Sequence, residues 1–551
     1  GSWGDMAARA YGALLVQTRT VGSLLVASCR STLIPSQGRA LVLQPSRHRV
    51  KVADVISRRT YVDSIDRSVA VNSMDSPLEV LSFMSEHSDS DTRTLEAALR
   101  RLAYLTTASN YKEVVGDARF HAILGALVTR LDDCDVTLLC MVADAAGRFR
   151  TNTQELSDLG QSLAEVIVRR EDSFSPRNLA TIALSLAVRG IRDTTTVEFI
   201  RAEATKLIHD FQPGHCNMLL EALRRWGVFD RQLVDLLVER LTDEIDRFTS
   251  KEVVESLGVI SRLGLARGFL LRRLCTLAFE NLNQFSAPEL VRMANALARL
   301  RFLDHGSLDS IIDALMMDLP RLHPVQVSNL IFAIGMLEAH QHADLVRDLV
   351  ARFRDEEGPR TLTALADVAW TLCSLDMVRE LNEDFQQIME DVFSKPPPQN
   401  RVPLVKIFDV LCALELEYKD VSVTVPATWK AACDDADRYE MDRLEPSRLH
   451  NEIVTRLDHL SGVANGVRWS LRMQRNSPCG PFRVDMLDEE SRVALDVEII
   501  SWPTSRKLKH RFARALGYKP VLLEYWEWRR ARSEEDQAAF LEREIVRALE
   551  S

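Results

Sequence analysis

The sequence predicts a mostly α-helical protein: an α-solenoid of paired helices followed by a small α/β domain. Three observations lead there. A 37-residue spacing runs through the middle of the chain, apolar residues within each period fall at helical intervals, and beyond Pro478 the pattern changes to short alternating strands. The chain has 551 residues, more than one hydrophobic core accommodates. Its composition, 46% hydrophobic and 27% charged with few aromatics, is that of an ordinary soluble protein tilted towards helix. The net charge of −10 excludes an unspecialised nucleic-acid coat, so any contact with RNA has to come from local patches. No run of about 18 apolar residues offers a membrane span. The nine cysteines are scattered without a CxxC pair, which points to reduced, buried thiols; no metal site or cofactor is expected.

Residues 1–60 read as a mitochondrial transit peptide or disordered leader. Arg9, Arg19, Arg30, Arg39, Arg47, Arg49, Lys51, Arg58 and Arg59 stand among Ser, Thr, Ala and Leu, with Asp54 the one acid between Met6 and Thr60. A cationic, acid-poor helix is drawn to a negative-inside membrane.

Irregular helical pairs are expected over 75–172, and the regular array over 173–396. Phe174, Phe211, Phe248, Phe285 and Leu322 stand 37 residues apart. Leu186, Leu223, Ile260, Leu297 and Ile334 follow in the same phase, each preceded by a small or β-branched residue. Gly190, Gly227 and Gly264 keep step in the first three units. In the unit after Phe248, Ser250 is placed as the cap of a first helix Lys251–Arg262, Gly264 as its stop, and Arg267–Leu282 as a second helix. One pair cannot bury its apolar stripe alone, whereas a stack buries a continuous core and exposes an extended concave face. Such a face suits RNA strands or peptides. Arg224, Arg225, Arg262, Arg299 and Arg301, near the ends of first helices, are candidates to line one edge and neutralise phosphates, or simply to meet helix C-termini.

Pro396–Pro398 interrupt the array, and 399–478 reads as a helical connector. The last domain is placed at 479–551. Its elements are a strand Phe482–Leu487, a second strand Arg492–Ile500, a helix Ser505–Leu516 ended by Gly517, a strand Pro520–Tyr525 and a final helix Glu534–Leu549.

Several motifs in that domain together resemble a RAP domain: Val484-Asp485, Ala494-Leu495-Asp496-Val497-Glu498, Arg506-Lys507-Leu508-Lys509, Ala515-Leu516-Gly517-Tyr518 and Tyr525-Trp526-Glu527-Trp528. The 37-residue helical pairs are similar to the heptatricopeptide arrays that precede RAP domains in organellar proteins related to the FAST-kinase family. The resemblance implies organellar RNA binding and a restriction-endonuclease-like topology.

That topology raises a nuclease question. Asp485, Asp496 and Glu498 are the candidate catalytic acids for holding a divalent metal, but the lysine expected two residues beyond Asp496 is replaced by Glu498. For RNA contact, Arg506, Lys507, Lys509, Arg511, Arg514 and Lys519 crowd into 14 residues that contain no acid. Lys507, Arg511 and Arg514 share one helical face, suited to tracking phosphates. Trp526 and Trp528 offer stacking platforms, one ring expected to be accessible, and Arg529 and Arg530 extend the charge. The leading expectation is a non-catalytic RNA-binding protein of the mitochondrial matrix, acting in rRNA or mRNA stability, processing or ribosome assembly. The alternatives are a structural subunit of a mitoribosome or other large mitochondrial complex, and a metal-dependent ribonuclease.

Overall fold

Five first helices begin in strict step, at Pro176, Pro213, Ser250, Ala287 and Pro324. The computed structural model describes residues 66–551 apart from 108, 150–152, 171–173, 229, 266–267, 356–359, 445–447, 458–459, 465–466, 499–505, 529 and 551, so the leader at 1–60 lies outside the described residues. The periodic anchors, four phenylalanines and Leu322, turn out to be helix-entry residues. Each sits immediately before an N-cap: Ser175, Gln212, Thr249, Ser286 and His323. The residues four positions into each helix, Leu179, Cys216, Val253, Leu290 and Val327, are all buried, as are the anchors themselves except the half-buried Phe248. These are the two positions of a hydrophobic staple, which fixes the angle at which the chain enters a helix. The period therefore marks the joint between units. A single 3-10 turn leads into four of the joints, at Ile208–Asp210, Ile245–Arg247, Leu282–Gln284 and Leu319–Arg321.

The cap in the third unit is Thr249, one residue before the expected Ser250. Its hydroxyl accepts from the Glu252 amide at 3.3 Å, and the Glu252 carboxylate accepts from the Thr249 amide at 2.8 Å. That helix runs Ser250–Leu263 and ends at Gly264, whose φ of 64° is left-handed. Its partner is Gly268–Glu280.

Each first helix packs on the next, in one row from Thr92–Leu105 and Val136–Arg148 through the five periodic helices to Leu362–Ser374 and Arg401–Leu416. Each second helix packs against its own first helix. Small residues let the row close up. A Cβ on Gly335 would stand 2.6 Å from Thr371 Oγ1 in the neighbouring first helix. Buried polar groups are paired across the same joints: Asn217 Nδ2 donates to Ser256 Oγ at 2.9 Å, and Trp370 Nε1 to Asp409 Oδ2 at 3.1 Å. Helical pairing continues past Pro396–Pro398, because Arg401–Leu416 stacks on Leu362–Ser374 and Ala427–Leu444 packs on it in turn.

The helix Arg448–Leu457 and a two-stranded ribbon, β1 (Ser461–Ala464) and β2 (Val467–Ser470), lead into the C-terminal domain. Its sheet has the order β3 (Gln474–Cys479), β4 (Phe482–Asp488), β5 (Val493–Glu498), β6 (Lys519–Glu524), with β5 and β6 parallel and the other pairs antiparallel. The helix Lys507–Ala515 crosses between β5 and β6, and Glu534–Glu550 closes the domain. Every element expected after Phe482 is present; β3 is an addition. Tyr525, expected as the last residue of the strand, instead opens a short helical turn, Tyr525–Trp528.

Alternation on β5 serves two cores. Val493, Leu495 and Val497 join Ile453, Val521, Leu523, Phe540 and Leu541 inside the domain. Ala494, with Phe482, Val484, Leu508 and Phe512, belongs to the core that runs on into the array. The array and the C-terminal domain lie in one unit, Ser64–Ser551. Among the described residues no helix is long and apolar enough to cross a membrane. Eight cysteines are free thiols, seven of them buried; Cys29 lies outside the described residues.

Candidate nucleic-acid interface

The row of first helices forms one wall of a groove of about 1350 Å³. In the helix Ser250–Leu263 the lining includes Lys251, Glu255, Gly258 and Arg262, at i, i+4, i+7 and i+11 on one face. Positions 181, 218, 255, 292 and 329 line it in register, as do 184, 221, 258 and 295, and 262 and 299. In a chain of net charge −10 this face is cationic. Arg100, Arg148, Arg177, Arg224, Lys251, Arg262, Arg292 and Arg299 line it, against the acids Asp144, Glu221 and Glu255. Of the arginines singled out in the sequence, Arg224, Arg262 and Arg299 reach the groove. Arg225 and Arg301 are not among its lining residues.

The acid at its centre organises the cations. Glu221 is buried and accepts from Arg224 Nη2 and Arg225 Nε, both at 2.8 Å on Oε1, and from Arg224 Nε at 2.9 Å and Arg262 Nε at 3.2 Å on Oε2. Burial alone would raise its pKa, but Arg224, Arg262 and Arg225 outweigh burial and hold it at about 2. One carboxylate thus fixes three guanidinium groups from two consecutive units and leaves a net positive cluster. Farther along, Asn295 Oδ1 accepts from Arg299 Nε at 2.6 Å, and the Arg299 guanidinium lies 4.9 Å from the centre of the Phe332 ring.

The basic helix of the C-terminal domain is placed differently from expectation. Instead of a solvent-facing stripe, most of its cations are docking groups. Arg506 is fully buried: its Nη1 lies 2.7 Å from Asp496 Oδ1 and 3.2 Å from Asp485 Oδ1. Lys509, also buried, pairs with Asp437 at 2.7 Å, 5.4 Å from the Phe408 ring centre. Burial opposes its charge, yet Asp437 and Asp409 more than compensate and raise its pKa. Arg511 holds Glu417 at both oxygens, 2.7 Å each, and donates to the carbonyls of Cys373 at 2.6 Å and Ser374 at 3.2 Å, at the C-terminus of the helix Leu362–Ser374. Lys519 Nζ donates to the Leu549 carbonyl at 3.0 Å. Trp528 is 1% exposed and meets Phe540 edge-on, so it is a core residue and not a stacking platform. Lys507, Arg514 and Arg530 are exposed. The Trp526 side chain and Arg529 lie outside the described residues.

Asp485 and Asp496 are brought together as expected, but around a guanidinium. The β4–β5 ladder is replaced at this point by carboxylates: the Asp485 amide donates to Asp496 Oδ1 at 2.9 Å, and the Val497 amide to Asp485 Oδ2 at 2.8 Å. His510 Nε2 lies 3.2 Å from Asp496 Oδ2, and His450 Nε2 3.4 Å from Asp485 Oδ2. Burial would raise the Asp496 pKa, but Arg506 and His510 hold it well below the usual carboxylate range. The Glu498 side chain is outside the described residues. Sequence reasoning missed Glu221, Asn295 and Arg292; their common 37-residue register with neighbouring groove residues was the available signal.

A row of helical pairs with a cationic inner groove, closed at one end by a small α/β domain, defines a helical-repeat protein with a C-terminal RAP domain. Residues 493–544 match the RAP domain family. Residues 83–342 match the family described as RNA-editing substrate-binding complex 6 protein. That second match spans every groove-lining residue except Asn400 and Val402. Comparison with curated proteins gave no match.

Proposed function

We propose that this chain is a non-catalytic RNA-binding protein of the mitochondrial matrix, which holds extended single-stranded RNA in the groove of its helical array. It acts in the stability, editing or processing of mitochondrial mRNA or rRNA, or in ribosome assembly. The observation that carries this reading is the concentration of cations on one concave face of an acidic chain. Such a face neutralises phosphates and releases counterions, so affinity falls with salt. The name of the matched repeat family, which refers to binding of RNA-editing substrates, supports the same ligand class. The RAP domain closes the array and adds the exposed Lys507, Arg514 and Arg530 at its own surface. Direct binding of the full chain to labelled single-stranded RNA across a salt series tests the reading; binding that is absent at low salt sinks it.

Catalysis is not part of this reading, because Arg506 occupies the position between Asp485 and Asp496 where a nuclease needs a metal. Magnesium- or manganese-dependent RNA cleavage that disappears in Asp496→Ala would overturn that point. A second reading, a structural subunit of a large mitochondrial complex, is favoured by exposed apolar side chains on the second helices and their turns: Phe269 at 60% and Met317 at 87% exposure.

A further inference from the structure

Two registers of the first helices run along the groove, and they differ in chemistry. The register at 188, 225, 262, 299 and 336 reads Val, Arg, Arg, Arg and Met; Arg262 and Arg299 line the groove, joined there by Arg224, while Arg225 sits behind them on Glu221. In the row at 181, 218, 255, 292 and 329 the residues are Thr, Met, Glu, Arg and Asn, and all five line the groove. On each first helix the second row stands seven residues, two turns, before the first. A cation repeated in the three central units, Arg224, Arg262 and Arg299, is what a repeating phosphate requires, since phosphates carry no sequence information. A position that changes its hydrogen-bonding chemistry from unit to unit suits a ligand group that also changes along the chain, and in RNA that group is the base.

The two rows are also held in relation to each other. Asn295 lies between them: its Oδ1 accepts from Arg299 Nε and its Nδ2 donates to Asn329 Oδ1, each at 2.6 Å. In the preceding units Glu221 fixes Arg225 and Arg262. The side chains are thus oriented before any ligand arrives.

We infer that the groove binds RNA with one nucleotide per helical unit, Arg224, Arg262 and Arg299 holding phosphates in the three central units and the row Thr181, Met218, Glu255, Arg292, Asn329 contacting bases. The inference rests on the RNA-binding reading and adds sequence selectivity to it. Glu255, Arg292 and Asn329 sit in consecutive units and present an acceptor, a forked donor and an amide. Arg292 matches the paired acceptors of guanine, and its two neighbours favour bases carrying an exocyclic amine.

The test is selection of RNA from a randomised single-stranded pool by the full chain, followed by affinity measurements on the enriched sequences. The wild type is expected to enrich a short contiguous motif containing guanine. Arg292→Ala should relax preference at that guanine alone, reducing discrimination there by about tenfold. Arg262→Gln should weaken binding to all sequences by a similar factor and lower the salt slope by about 0.7. Thermal melts establish that each variant is folded, and Arg292→Lys, which keeps the charge and loses the fork, should also relax the guanine position. If the wild type binds RNA but enriches no motif, or Arg292→Ala weakens all sequences equally, base reading is overturned while RNA binding stands. If the wild type binds no RNA, the broader reading fails.

Discussion

Arg511 and Glu417 join the C-terminal domain to the repeat array through a bidentate ion pair, with both nitrogen–oxygen distances at 2.7 Å. The same guanidinium closes the C-terminus of the helix Leu362–Ser374 through the Cys373 and Ser374 carbonyls. A side chain that the sequence presents as a phosphate ligand is thus part of an internal joint. Arg511→Ala should destabilise the chain by about 2–3 kcal/mol, since it strands a half-buried carboxylate and two carbonyls. Arg511→Lys should recover only part of that loss, because an ammonium cannot reproduce the fork. Urea unfolding of the three proteins checks the order.

Lys509 and Asp437 form a fully buried pair in the same joint. Removing one partner leaves an uncompensated charge, at a cost of about 3–5 kcal/mol. Lys509→Met and Asp437→Leu are each expected to be strongly destabilising, and the double variant clearly less so than the sum of the two. A double-mutant cycle by chemical denaturation measures this; simple additivity would contradict the pairing.

Glu221 gives a pH dependence of known sign. Its carboxyl is held at about 2 in the folded chain against an ordinary value of 4.5. The folded pKa is depressed, so its contribution is fully present above about pH 4.5 and is lost as pH falls towards 2. Glu221→Gln should lower stability at neutral pH by about 2 kcal/mol and flatten the acid limb of the stability curve. It should also weaken RNA binding, although it removes a negative charge from a cationic groove, because three arginines lose their common anchor. Tighter binding would show that charge alone matters there.

Gly335 sits where two first helices touch. A methyl group at that position would meet Thr371 Oγ1 at 2.6 Å and Thr371 Cγ2 at 2.7 Å. Gly335→Ala should therefore destabilise by about 1–3 kcal/mol, and Thr371→Ala in the same chain should recover part of the loss. Differential scanning calorimetry of the single and double variants decides it.

The repeat period was legible because a staple residue at a helix entry is local, and its aromatic or leucine signature survives in every unit. The left-handed stop was legible at Gly190, Gly227 and Gly264, but the same position in the next two units is Arg301 and Glu338, at φ 55° and 53°, where composition carries no signal. The strands after Phe482 were readable from period-two alternation. The fate of the basic helix was not: Arg511's carboxylate partner lies 94 residues away and Lys509's 72. A run of cations without acids looks solvated until those distant acids are in place. The groove was legible in part, through Arg224, Arg262 and Arg299, which recur near the ends of first helices; its other cations were not. Its cations are spread one or two to a unit and meet only when the units stack, so neither net charge nor local clustering reveals the rest of them.

The most direct test of the central claim is RNA affinity of the full chain carrying Arg177→Gln, Arg262→Gln and Arg299→Gln together. These changes leave Glu221 paired with Arg224 and Arg225 and do not touch the RAP domain. Groove binding predicts at least a tenfold loss of affinity at low salt, and a salt slope shallower by about 2, from some 0.7 per lost phosphate contact. Binding equal to wild type in the triple variant, with affinity abolished instead by Lys507→Gln and Arg514→Gln, would contradict it.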